Sequence, residues 1–223
     1  IEIFQRNYIK NALVDCKDDD IILLSDVDEF VAPDLLRQVR EGAGEVHIFS
    51  TFERVAEREG MRGLSRNTRC FLRALSYMGK RSNIRAFLRH SPVVCEQTMY
   101  NFFINYQRDS NWCGSILAEY GQIANMQKLR SRRNQFPMVY GGWHFSSLGG
   151  LKMIRNKINS TSDGMCNPIY GLPEEEQNYV IEEALEKGYI WWRDEYLKKC
   201  TLEDLDIPWI AWFAEKYPYM YHG

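Results

Sequence analysis

Three carboxylates follow an apolar run near the start of the chain. The run extends from Ile21 to Ser25, and Asp26, Asp28 and Glu29 then come within four positions. Burying a carboxylate without a partner is costly, so a cation must meet these side chains or they must lie at an open edge. An Asp-x-Asp pair at the end of a strand suits Mn²⁺ or Mg²⁺, which prefer carboxylate oxygens and can neutralise a diphosphate.

Two classes of enzyme use such a pair after a strand. In nucleotide-sugar glycosyltransferases a metal bridges the pair and the donor diphosphate and stabilises the departing nucleotide. In phosphatases of the haloacid dehalogenase type the first aspartate, here Asp26, is the nucleophile. The acidic segment "LEDLDIP" at 202–208 lacks the apolar run that those phosphatases require before their second acidic pair. A structural alternative for the pair is an acidic turn that caps the helix at Pro33. A third alternative for the whole chain is a non-catalytic carbohydrate-binding or scaffold domain with a degenerate site, whose basic segment binds a partner.

The elements around the pair predict an α/β protein. Apolar spacing favours a helix over 1–14, a strand over 21–25, a helix from Pro33 to about Glu41 and a strand over 45–52. Further along we expect a strand–turn–strand unit over 98–117, then a strand, a glycine-bracketed aromatic turn and a helix over 137–160. A helix over 172–188 begins after a proline and stops at a glycine. In α/β sheets, ligands bind at the carboxyl ends of strands.

Composition narrows the class of protein further. The chain has 223 residues, a length that predicts a single domain over 1–223. Its net charge of −2 argues against a nucleic-acid-binding protein. No apolar run approaches the ~20 residues of a membrane span. The segment 53–92 is locally basic. Two interpretations fit it: a solvated helix face, or a docking surface for an anionic partner or lipid. We expect a further part of the protein upstream of Ile1. Membrane association through the basic segment, or through an anchor in that upstream part, stays open.

Several motifs in order carry a resemblance to a known family. They are "EIFQRNYIKNAL", "DDDIILLSDVDEFVAPDLL", "MYNFFINYQRDSNWCGS" and "GGWHFSSLGG" with a basic helix after it. Together they resemble glycosyltransferase family seventeen, known best for the bisecting β-1,4-N-acetylglucosaminyltransferases of N-glycans. The resemblance covers 2–36, 98–120, 137–165 and, more loosely, 172–220, and it departs at the long basic stretch of 45–92. It implies a GT-A-like, Rossmann-like mixed sheet flanked by helices, with the first nucleotide-binding units lying upstream of this chain.

The resemblance also implies a donor site and a metal site. Asp26 and Asp28 match the family's metal-binding pair, with His144 between glycine pairs as a third ligand to Mn²⁺ or Mg²⁺. Asp28 is the expected direct ligand. Arg6, Asp26 and Trp143 are the expected donor-binding residues, since a guanidinium suits a diphosphate. A surface ion pair is the alternative for Arg6, and a structural role is the alternative for His144 and Trp143.

An inverting transfer needs one carboxylate as general base on the acceptor hydroxyl. Three carboxylates lie in or near these motifs, and the sequence does not choose among them, although Asp109 is favoured slightly because it lies in a turn: Asp109, Glu119 and Asp163. We assign acceptor binding to three residues of the third motif: Tyr100, Asn101 and Trp112. The default donor by resemblance is UDP-N-acetylglucosamine, and the acceptor is a glycan or glycoprotein. The compartment stays open between the Golgi lumen, where the family's animal members work, and the cytoplasm of a bacterial or viral relative.

Overall fold

The computed structural model describes residues 2–49, 80–161 and 164–223. These residues fall into two compact units, one formed by residues up to 97 with 113–142 and the other by 98–112 with 143–223. The described residues contain seven α-helices and mostly antiparallel strands. The prediction of a mixed α/β protein is therefore confirmed. The prediction of a single domain with a basic insertion over 53–92 stays a prediction, and positions 50–79 lie outside the described residues.

The first unit contains four helices and most of the longer strands. Its helices are α1 Glu2–Tyr8, α2 Pro33–Glu41, α3 Ile84–Leu88 and α4 Met126–Ser131. Its short strands are β1 Ile21–Leu24, β2 Glu29–Val31, β3 Val46–Ile48 and β4 Lys80–Ser82. Three longer strands contribute part of their length: β5 Val93–Asn101, β7 Trp112–Glu119 and β8 Met138–Ser146.

The pairing of β1 brings its carboxyl end beside the middle of β7. The two strands are antiparallel, with Ile21 opposite Glu119 and Leu24 opposite Ile116. Next to β7 lies β5, which neighbours β8, and β8 also pairs with β2. Because side chains alternate across a strand, β1 contributes to the two core clusters of this unit, Ile22 and Leu24 to one and Ile21 to the other.

Helix α2 forms where its local signals predict it. Pro33 occupies the first turn, and Gly42 follows the helix in the left-handed conformation with φ +63°. Its buried residues are Leu35 and Val39, which are four positions apart and therefore lie on one face. The predicted helix from Pro33 to Glu41 is confirmed. Helix α2 follows β2 closely and anchors the segment that carries the acidic turn.

The second unit is built from three helices and short antiparallel pairs. Its helices are α5 Gly150–Ser160, α6 Glu174–Lys187 and α7 Ile210–Lys216. Its short strands are β6 Tyr106–Gln107, β9 Tyr189–Ile190, β10 Glu195–Tyr196 and β11 Lys198–Lys199. Strand β6 pairs with the end of β5 and with β11, and β9 pairs with β10. The predicted helices of 137–160 and 172–188 correspond to α5 and α6 and are confirmed.

A buried asparagine joins two distant parts of the second unit. The Nδ2 atom of Asn105 donates to the carbonyl oxygen of Cys200 at 3.1 Å and to that of His222 at 3.0 Å. Its Oδ1 atom accepts from the backbone N–H of His222 at 3.1 Å. The backbone N–H of Ile104 donates to the carbonyl of Met220. A buried amide needs such partners, and here they are backbone groups near the end of the chain.

Other sequence predictions about local structure need correction. The helix predicted over 1–14 ends at Tyr8 and continues as a 3₁₀ turn over Ile9–Ala12. Phe4 and Tyr8 on this helix are exposed. The strand predicted over 45–52 is described as β3 with a bridge at Phe49, and positions 50–52 lie outside the described residues. Within the basic segment, Lys80–Ser82 form a strand and Ile84–Leu88 a helix, so the described part is not one helical ridge.

The predicted aromatic turn over 141–150 also needs correction. Gly141, Gly142, Trp143 and His144 all lie within β8, and the bend comes after Ser146. Gly142 has φ +127°, and a Cβ atom on it would lie 1.9 Å from the carbonyl oxygen of Phe30. The glycine therefore permits β2 to approach β8 closely, rather than a turn. Over the parts of the chain that the structure describes, no helix has the length and apolar character to cross a membrane.

Candidate functional site

The acidic turn after β1 is held by a buried arginine of α4. The side chain of Arg130 is 3% exposed, and its Nη2 atom donates to Asp26 Oδ2 at 2.5 Å and to Glu29 Oε1 at 2.6 Å. Its Nη1 atom donates to the carbonyl oxygen of Gly114 at 2.8 Å. A guanidinium presents several donors in one plane and so bridges two carboxylates. Arg130 is thus one cation that meets the carboxylates of the turn.

Glu29 is the most deeply buried carboxylate of the turn, with its side chain 1% exposed. Its Oε2 atom accepts from Ser115 Oγ and from the backbone N–H of Asp26, each at 3.2 Å. Ser115 Oγ lies 2.7 Å from Ser25 Oγ and accepts from Gln97 Nε2 at 3.3 Å. Together with Arg130 these groups satisfy a carboxylate that would otherwise destabilise the core.

Asp26 is half-exposed and has arginines at both carboxylate oxygens. Arg6 Nη2 lies 3.7 Å from Asp26 Oδ1, opposite the oxygen that Arg130 contacts. Arg6 Nη1 donates to Gln127 Oε1 at 3.2 Å, and the backbone N–H of Gln127 donates to Asn7 Oδ1 at 3.1 Å. These contacts join α1 to α4. The structure therefore brings together two residues of the predicted donor site, Arg6 and Asp26, through an ion pair.

A third arginine lies in the same electrostatic environment. The pKa of Arg133 is lowered from its usual value first by burial and then by the positive charge of Arg130, while Glu29 and Asp26 act in the opposite direction. Arg133 belongs to a 3₁₀ turn directly after α4. The acidic turn thus lies close to several guanidinium groups, of which Arg6 and Arg130 contact its carboxylates.

Asp28 is half-buried beside the tip of the turn, where Val27 is 97% exposed. Among residues 2–49, 80–161 and 164–223, no group of three or more His, Cys, Asp and Glu side chains lies where it could hold a metal ion. A magnesium-type ion commonly uses one or two carboxylates and completes its shell with water and substrate phosphates. Asp28 offers such a carboxylate, whereas Asp26 has Arg130 at Oδ2 and Arg6 at Oδ1.

The predicted third metal ligand lies in the second unit. His144 is 6% exposed in β8, and its ring centroid is 5.0 Å from that of Trp112, with the planes tilted by 46°. The structure thus brings together one predicted metal ligand and one predicted acceptor residue. Both are partly or fully enclosed by the fold of that unit.

The other predicted sugar-binding residues of this unit take part in its core. Tyr100 is buried and stacks on Phe145 with ring centroids 5.3 Å apart, and burial raises its pKa to about 12. Asn101 is buried as well, and Trp143 packs against the cluster that contains Tyr100. Their roles in binding donor or acceptor stay predictions.

The three candidate general bases differ in position. Asp109 is exposed in the turn between β6 and β7. Glu119 pairs with Ile21, at the amino end of β1, so the length of that strand, about 13 Å at ~3.3 Å per residue, separates it from the acidic turn. Asp163 lies outside the described residues.

Sequence reasoning missed the groups that hold the turn. Arg130, Ser115 and Gln97 were not expected near it, since they follow Glu29 by 101, 86 and 68 positions (130 − 29, 115 − 29 and 97 − 29). One signal was present in the sequence. A buried carboxylate demands a cation, and "KLRSRR" at 128–133 is a basic cluster that no predicted site had used.

Comparison of the chain with known protein families, characterised proteins and solved structures finds no match. The function is therefore argued from the sequence motifs and the geometry of the site.

Proposed function

We propose that this chain is a metal-dependent glycosyltransferase of GT-A type. It transfers a sugar, by default N-acetylglucosamine, from a nucleotide-sugar donor to a hydroxyl of a glycan acceptor with inversion. The observation that carries the proposal is the acidic turn directly after β1, with Asp26 between Arg6 and Arg130 and Asp28 two positions on. Such a turn combines carboxylate oxygens for a cation with a guanidinium for phosphate oxygens.

The charge balance at the turn supports this class of ligand. Arg6 and Arg130 contact Asp26, Arg130 also contacts Glu29, and Arg133 lies within the electrostatic influence of both carboxylates. A ligand with a large unbalanced charge would be disfavoured at such a site. A nucleoside diphosphate that arrives with a divalent cation is nearly balanced in charge, so it fits without leaving an uncompensated ion.

Each residue has a definite task in the proposed reaction. Arg6 is partly exposed and contacts phosphate oxygens of the donor. Asp26 accepts hydrogen bonds from the donor ribose, and Asp28 binds the cation. A bound divalent cation supplies Lewis-acid stabilisation of the departing nucleotide. Asp109, exposed in its turn, is the favoured base and takes the proton of the acceptor hydroxyl as that oxygen attacks the anomeric carbon.

Calorimetric titration of UDP with and without Mn²⁺ tests the proposal. We expect the wild-type protein to bind UDP only when Mn²⁺ is present, and Asp28→Ala to weaken that binding by about tenfold or more, because the ligand loses a charged contact. The matched control is Asp34→Ala, which removes an exposed carboxylate of α2 paired with Arg37. The control should bind UDP as the wild type does.

Two results would contradict the proposal. One is UDP binding that is the same with and without the metal, and the other is no UDP binding by the folded wild-type protein. Turnover of an aryl phosphate that is lost in Asp26→Asn would instead support the phosphatase alternative, in which that aspartate is the nucleophile.

A further inference from the structure

The conformation of Asp26 is set from inside the protein. Its Oδ2 atom lies 2.5 Å from Arg130 Nη2, a short charge-assisted contact. Arg130 cannot follow Asp26 outward, because the same guanidinium also donates to Glu29 and to the carbonyl of Gly114 and its side chain is 3% exposed. Asp26 itself is half-exposed, so a buried anchor holds a side chain that reaches the surface.

A cation that bound Asp26 through Oδ2 would compete directly with this anchor. It would have to displace the guanidinium from its shortest contact, and it would then stand next to a buried positive charge. The Oδ1 atom faces the partly exposed Arg6 at 3.7 Å, a longer contact than the one that Oδ2 makes with Arg130. The two oxygens of Asp26 are therefore not equivalent.

We propose that Arg130 is a positioning residue that holds Asp26 through Oδ2 and keeps that oxygen out of the coordination sphere of the cation. Asp26 then serves the donor as a hydrogen-bond acceptor through Oδ1, on the side of Arg6. This assignment rests on the proposed function where it concerns the cation, and it separates the roles of the two aspartates in the turn. The hold on Asp26 itself is a property of the protein without any ligand.

The first test needs no ligand. A double-mutant cycle with Asp26→Asn and Arg130→Met is measured by urea unfolding in the Glu29→Gln background, so that no variant leaves Glu29 as a buried unpaired charge. We expect the effect of Asp26→Asn on the unfolding equilibrium constant to differ by about fivefold or more between the chain with Arg130 and the chain with Arg130→Met. Additive effects would overturn the inference, because they would mean that Arg130 exerts no hold on Asp26.

The second test follows the affinity for Mn²⁺ alone by titration. In the wild type, Asp26→Asn should change this affinity by less than about threefold, because Oδ2 is occupied by Arg130. In Glu29→Gln/Arg130→Met the released carboxylate should bind Mn²⁺ about tenfold or more tightly than the wild type does, and adding Asp26→Asn should remove that gain. A merely structural role of Arg130 predicts no such gain.

The outcomes distinguish this inference from the proposed function. A tenfold loss of Mn²⁺ affinity in Asp26→Asn alone would overturn the positioning role, since Asp26 would then be a direct ligand. Absence of Mn²⁺-dependent UDP binding in the wild type, together with a non-additive unfolding cycle, would end the proposed function and leave the hold of Arg130 on Asp26 established.

Discussion

Replacing Arg130 by methionine should destabilise the first unit strongly. The substitution removes the donors to Glu29 Oε1 and Asp26 Oδ2 while Glu29 stays 1% exposed. Asp26 is 42% exposed, so solvent takes over much of its lost interaction, and most of the cost comes from Glu29. Breaking a buried pair by removing one partner costs about 3–5 kcal/mol. That is a large part of the ~5–15 kcal/mol by which native proteins are stable.

Glu29→Gln in the same chain should restore most of the loss. The glutamine keeps an acceptor for Ser115 Oγ and for the backbone N–H of Asp26 but carries no charge. Replacing a buried pair by neutral groups of similar volume is often neutral or stabilising. The matched control is Arg132→Met, which replaces an exposed arginine two positions from Arg130. We expect its free energy of unfolding to stay within about 0.5 kcal/mol of the wild-type value.

The assay is urea unfolding followed by circular dichroism, with the thermal midpoint as a second measure. For a chain of this size, a loss of 3–5 kcal/mol corresponds to about 6–20 °C in the midpoint. The reasoning is refuted if Arg130→Met is no less stable than Arg132→Met. It is also refuted if Glu29→Gln/Arg130→Met is as unstable as Arg130→Met, because the cost would then not come from the unpaired carboxylate.

Two further predictions concern other buried positions. Burial and the charge of Glu29 raise the pKa of Cys95 to about 12. Iodoacetamide at pH 8 should therefore label the exposed Cys166 and leave Cys95 unlabelled until the protein unfolds. Peptide mass spectrometry identifies the labelled cysteines. The thiol ionises near pH 9 in the unfolded protein but stays protonated there in the folded protein, so the free energy of unfolding falls as the pH rises above 9. Cys95→Ala removes this contribution, and the free energy of unfolding of the variant should fall less steeply, by up to about 1.4 kcal/mol per pH unit. Gly142→Ala should lower the free energy of unfolding by about 2–6 kcal/mol, because it combines a strained φ with a contact of 1.9 Å. Gly171→Ala, at φ +78° in open space, should lower it by about 1–2 kcal/mol. Urea unfolding measures both. Equal losses for the two glycine variants would contradict the steric argument, and labelling of native Cys95 would contradict its burial.

Local signals placed several helices and strands, and long-range pairing was beyond them. Helix α2 could be placed because Pro33 and the glycine after Glu41 are start and stop signals within the segment itself. The partner of Glu29 could not be placed, because Arg130 lies 101 positions away and nothing local specifies which basic segment returns to the turn. The demand for a cation was predictable from physical chemistry, and its identity depended on the fold.

The glycines near 141 were misjudged for a related reason. A glycine pair beside aromatic residues is typical of a turn, and Gly142 instead allows two strands to approach within a distance that no side chain would permit. A glycine can permit either a bend or the close approach of another strand. At Gly142 the deciding neighbour is Phe30 of β2, and the local sequence does not reveal that neighbour.

The contacts of Asn105 have a consequence for how the protein is made. Its side chain is satisfied by backbone groups of Cys200 and His222, the latter 117 positions further along the chain. On the ribosome the segment around Ile104 therefore emerges long before its partners near Met220 do. We expect the second unit to complete its packing after the first unit during translation, with its early segment exposed to chaperones in the meantime.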